Sequence, residues 1–128
     1  MSKRKREIND DTLTEPKRFK YYFTDDCKKI IQELKDHPWS WPFKTPIKPS
    51  EWNMDANYYY AVIKMPMDLS LIEKKLDKNE YENIESFAKD VRLIWKNSKM
   101  FNLEDKLKKM VQTLDCIFEE NLLKIKSF

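Results

Sequence analysis

The 128-residue chain has no glycine, one histidine and two cysteines. Each scarcity removes a class of chemistry. Without glycine there is no glycine-rich phosphate loop and no nucleophile elbow, because both need backbone where a Cβ does not fit. Helix ends and tight turns must fall to Asn, Asp and Pro instead. The one histidine, His37, precedes Pro38. That excludes a two-histidine metal site and the paired Glu-x-x-His motifs of di-iron bundles, and the place of His37 at a helix end before a proline argues against a histidine triad. Cys27 and Cys116 are too few for a disulfide framework or a four-cysteine zinc site. Both fall at apolar positions of helical patterns, so both are expected to be small buried hydrophobes in a reducing compartment. No apolar run approaches the ~18 residues of a membrane span, and the N-terminus has no apolar signal core. A soluble, intracellular protein is expected, with no membrane contact.

What is present is a single domain's worth of apolar residues, 41% of the chain, under a heavy charged cover of 37%. Net charge is +3 and sits in one place. Residues 1–20 carry seven Lys/Arg against four Asp/Glu, and the remainder carries eighteen of each. A neutral body argues against a domain built mainly to grip phosphates. The first twenty residues are polar, lack periodicity and contain Pro16, and they are expected to be a disordered tail. Lys3-Arg4-Lys5-Arg6 and Lys17-Arg18-Phe19-Lys20 have the spacing of a bipartite nuclear import signal, or form a solvated basic arm with weak affinity for nucleic acid.

Four amphipathic helices follow. The first is expected from Thr24, with Asp25 and Asp26 at its positive end and Cys27, Ile30, Ile31 and Leu34 on one face. It stops at Asp36-His37-Pro38, because the residue before proline avoids the helical region. The second begins at Asp68, a good N-cap, with Leu69, Ile72 and Leu76 inward and Asn79 at its close. The third runs from Ile84 to Phe101 and the fourth from Asp105 to Lys126, each with a long apolar stripe. Asp90 and the helix glutamates are spaced like solvated faces. The first connection, Pro38 to Met67, holds five of the six prolines. Loops beyond ~15 residues are uncommon in compact domains and are often functional. This one is also rich in Trp, Tyr, Phe, Ile and Met, so it must pack on the body or line a cavity. A short helical turn is expected around Tyr58–Ile63.

Three segments then stand out in order: Trp41-Pro42-Phe43, followed by Pro46 and Ile47; Tyr58-Tyr59-Tyr60 through Pro66-Met67-Asp68; and Asn97-Ser98-Lys99-Met100-Phe101-Asn102. Together they resemble the bromodomain family of acetyl-lysine readers, over about Thr24 to Lys126. The resemblance implies an all-α, left-handed four-helix bundle over 21–128, with a long loop between the first and second helices. It implies a pocket between that loop and the loop joining the last two helices.

Alone, Asn102 is an ordinary helix-ending asparagine. By resemblance it is the residue that hydrogen-bonds the acetyl carbonyl. Its amide both donates and accepts, which suits a neutral acetamide. An unmodified lysine brings a charge whose burial without a carboxylate costs several kcal/mol or more.

By the same resemblance, Tyr59 contacts the carbonyl through water, and Trp41-Pro42-Phe43 forms an aromatic shelf in which Phe43 faces the methyl while Trp41 packs at the outer rim. Ile47 lines the wall. Leu107 narrows the mouth or simply packs the core. The chain departs from common family patterns twice. The stretch from Ile47 to Tyr59 is about two residues longer and carries Trp52 and Met54 at wall positions. The loop after Asn102 is about one residue shorter. The function implied is binding of acetylated histone tails or other acetylated nuclear proteins, in the nucleus, as a monomer, with neither catalysis nor cofactor. A helical module that binds nucleic acid through its tail is the alternative.

Overall fold

The structure, a computed structural model, describes residues 15–101 and 104–126, with side chains over 23–101 and 104–125. Its helices are α1 (Glu15–Asp36), α2 (Ala56–Val62), α3 (Leu69–Asp77), α4 (Ile84–Lys99) and α5 (Asp105–Lys126). Among the described residues there is no strand. Two short 3₁₀ turns, Pro38–Phe43 and Pro49–Trp52, precede α2 within the long connection. Helices α1, α3, α4 and α5 form the bundle. α1 packs on α3 and α5, α4 packs on the same two, and the first 3₁₀ turn is held by α1 and α5.

The helix limits follow from local chemistry. The Asp68 side chain accepts from the Leu71 N–H and the Ser70 hydroxyl, so α3 starts where its N-cap dictates. A capping box between Asn83 and Ser86 starts α4. Left-handed backbone is needed at two places, and with no glycine available asparagine fills both. Asn79 (φ 53°) closes α3 and Asn53 (φ 56°) closes the second 3₁₀ turn. α1 begins at Glu15 rather than at Thr24. Residues 15–20, expected to belong to the tail, are therefore helical. Pro16 is the second residue of α1, where its missing N–H costs nothing.

The core is formed by the predicted stripes. Cys27, Ile31 and Leu34 of α1 meet Leu69, Ile72 and Leu76 of α3, Phe87, Val91 and Trp95 of α4, and Leu114, Phe118 and Leu122 of α5. Ion pairs bridge the helices outside this core. Lys35 meets Glu73 at 3.0 Å across α1 and α3, and Arg92 grips Glu119 at 2.8 and 2.9 Å across α4 and α5.

Two expectations need correction. Asp90 is not on a solvated face. Its Oδ2 accepts from the Lys75 ammonium and the Tyr81 hydroxyl, each at 2.7 Å, and its side chain is 13% exposed. Both partners lie on other segments, which helical spacing cannot register. Cys116 is exposed, whereas Cys27 is fully buried. The buried stripe of α5 runs through Met110, Val111, Leu114, Phe118 and Leu122, and Cys116 lies off it. Burial, and secondarily the Asp26 carboxylate, push the Cys27 thiol up to about 12. A maleimide should therefore modify one thiol per chain in the native protein, at Cys116, and two in denaturant, counted by mass spectrometry. Rapid native modification of Cys27 would show that α1 opens readily.

Candidate functional site

The connection, the last turns of α4 and the first turn of α5 enclose a cavity of about 440 Å³. Its inner wall is continuous with the core. Phe43 is buried and meets Trp95 edge-on, with centroids 5.6 Å apart and planes at 89°. It thus both lines the cavity and packs the bundle. Asp55 caps α2 by accepting from the Tyr58 N–H, and this short helix presents Tyr59. Tyr59 is buried and stacks on Phe101 at 5.5 Å with planes 9° apart. Burial, then the neighbouring Tyr60, raise the pKa of its hydroxyl above the ordinary tyrosine value. At neutral pH it is a phenol, able both to donate and to accept.

Pro42, Ile47, Trp52 and Met54 form the wall contributed by the connection, and Leu107 faces them from α5. All of these were expected from the sequence. Trp41 is 60% exposed and does not line the cavity. It stacks flat on Trp52, with centroids 5.7 Å apart and planes at 6°, and lines a shallower groove of about 180 Å³ next door. Asn102, the expected anchor, lies outside the described residues. The described residues before and after it in sequence, Phe101 and Glu104, both line the cavity.

Six lining residues were not named as such from the sequence: Met67, Ile94, Asn97, Ser98, Phe101 and Glu104. Asn97 is the most informative. Its Nδ2 donates to the Met65 carbonyl at 2.8 Å and so ties the connection to α4. No local signal announces this, because the partner is 32 residues away. Ser98 returns its hydroxyl to the Ile94 carbonyl at 2.9 Å, which removes a donor from the cavity. The only carboxylate among the described lining residues is Glu104, and there is no lysine or arginine. Among the described residues no group of His, Cys, Asp or Glu could hold a metal ion. The enclosure can hold an uncharged group with an apolar body and a hydrogen-bonding end.

Comparison with known proteins agrees with this geometry. The family model described as Bromodomain matches residues 27–109. The chain is 38% identical over 95 residues to "Histone acetyltransferase GCN5" of Debaryomyces hansenii, covering 74% of this chain and 20% of that protein. It is 36% identical over 97 residues to "Transcription factor GTE1" of Arabidopsis thaliana, covering 75% and 25%. With "Bromodomain-containing factor 1" of Candida albicans it shares 38% over 98 residues, covering 73% and 13%. The chain thus spans a quarter or less of these relatives. The similarity to the acetyltransferase covers only a fifth of that protein.

Proposed function

This chain belongs to the bromodomain family, and on that premise we propose that its cavity binds ε-N-acetyl-lysine in histone tails or other nuclear proteins. Bromodomains are binding modules, generally found in chromatin and transcription proteins. The observation that carries the proposal is the cavity itself. It is walled by Phe43, Ile47, Trp52, Met54 and Leu107, with Tyr59 stacked on Phe101 in the segment leading to Asn102. An acetylated side chain brings a four-carbon stem, a methyl and one acceptor oxygen. The apolar wall takes the stem and methyl, and the Asn102 amide and the Tyr59 phenol serve the oxygen, directly and through water. A free ammonium finds only Glu104, which is exposed, so the cost of stripping its water is not recovered.

Affinity should be modest, because the anchor is one small side chain and about one direct hydrogen bond. Micromolar or weaker binding is expected, about 5–8 kcal/mol. In the nucleus, added strength would come from neighbouring modules or paired acetyl marks.

The test is calorimetric titration of matched histone-tail peptides, acetylated and unacetylated, into wild type and Asn102→Ala. The expected result is binding of the acetylated peptide alone, weakened by about tenfold or more in Asn102→Ala through loss of a buried hydrogen bond. Binding of both peptides, weakening with salt and indifferent to Asn102, would instead assign the activity to the basic N-terminal segment.

A further inference from the structure

The cavity accepts a neutral group, but Glu104 on its lining and Trp41 just outside it favour a cation. On one lip, Glu104 is the only ionisable lining residue besides the neutral Tyr59, among those described. On the other lip, the Trp41 indole is 60% exposed, with Trp52 stacked beneath it at 5.7 Å. A face-to-face pair of this kind fixes the outer ring and leaves its open π-face toward solvent, the geometry on which a guanidinium stacks. The two lips are continuous. Pro42, Ile47 and Trp52 line both the cavity and the adjoining groove, so a backbone leaving the cavity over Trp52 next meets Trp41. Lys48 and Glu51 also line that groove, and their opposite charges largely offset each other. The net preference is left to the Trp41 face and the Glu104 carboxylate.

We infer that Trp41 and Glu104 are specificity determinants that select an acetyl-lysine flanked by cationic residues, arginine above all, over one flanked by neutral or acidic residues. The inference rests on the acetyl-lysine reading of the cavity. It concerns the residues on either side of the modified lysine. Arginine is favoured because its planar, weakly hydrated cation both stacks on indole and bonds a carboxylate. Trp52 sits in the stretch that is longer than in common family patterns, and Glu104 in the loop that is shorter. The two departures therefore meet in one property, the choice of flanking residues.

The experiment uses the full chain and three peptides that share one central acetyl-lysine, flanked on both sides by arginines, alanines or aspartates. Wild type should bind them in that order, with about two- to fivefold between steps, the scale of an exposed cation–π contact or ion pair. Glu104→Gln and Trp41→Leu should each reduce the arginine preference, and the double variant should abolish it while still binding the alanine peptide. Residues 1–20 carry a basic excess and attract the aspartate peptide if anything, so an arginine preference cannot come from them. Equal binding of all three peptides, or an arginine preference that survives in the double variant, overturns the inference and leaves the acetyl-lysine reading intact. Failure to bind any acetylated peptide overturns both.

Discussion

Truncating Phe87 to alanine should lower the free energy of unfolding by about 3–5 kcal/mol, a large share of the stability of a domain this size. Phe87 has no exposed surface. It meets Tyr81 edge-on at 5.8 Å and Phe118 at 6.0 Å, and so joins α4, the turn before it and α5. Its removal forfeits the transfer of an aromatic ring and leaves a void that three rigid elements cannot close. Urea denaturation followed by circular dichroism reads the loss directly. Leu123→Ala provides the control, because Leu123 is 68% exposed and its loss should stay within about 0.5 kcal/mol. A Phe87→Ala loss below about 1 kcal/mol would mean that α4 and α5 do not close over the ring as described.

The second large effect is a fall in stability with alkali. Cys27 is held near 12 in the folded chain against 9.0 when unfolded. Tyr81 is also raised far above 10.0, first by burial and then by its hydrogen bond to Asp90. The sign follows from which state keeps the proton. Below pH 9 both states hold the thiol proton, and the stability is fully present. Above it the unfolded chain releases a proton that the folded chain retains, so unfolding is favoured. The slope from Cys27 is about 1.4 kcal/mol per pH unit between its two values. Tyr81 adds in the same direction above 10.0. Denaturation midpoints measured from neutral pH upward should fall steeply past pH 9, and Cys27→Ala should remove the first part of that fall while costing a constant amount at neutral pH. An unchanged slope in Cys27→Ala would place the alkaline weakness elsewhere.

The helices were legible in the sequence because their signals are local. Asp68 caps α3, Asn79 closes it, and the stripe of α5 predicts its limits at Asp105 and Lys126. The boundary that moved most, the start of α1, had a local cause too. Pro16 was read as part of a disordered tail, but it occupies the first turn of α1, where a helix tolerates proline. The cavity was legible in part. Pro42, Phe43, Ile47, Trp52, Met54, Tyr59 and Leu107 line it as expected. The resemblance identified most of these, and the aromatic richness of an overlong connection explains why they had to pack somewhere. Trp41, expected at the outer rim, stacks on the indole of Trp52 and does not line the enclosure. Asn97 and Asp90 could not be read at all. Their roles are defined by Met65 and by Lys75 and Tyr81, and such partners become visible only when the chain is folded.

Phe43 belongs at once to the core and to the cavity wall. That double membership divides the site into a part that mutation can explore and a part that it cannot. A change at Phe43 alters the shape offered to a ligand and, through Trp95, the cohesion of the bundle. Variants there pass through loss of folding before they reach a new preference. Trp41 and Glu104 carry no such debt to the core, so the rim can drift among related sequences while the floor stays fixed. Divergence in this module should therefore change which neighbours of the ligand are tolerated long before it changes the chemical group that enters.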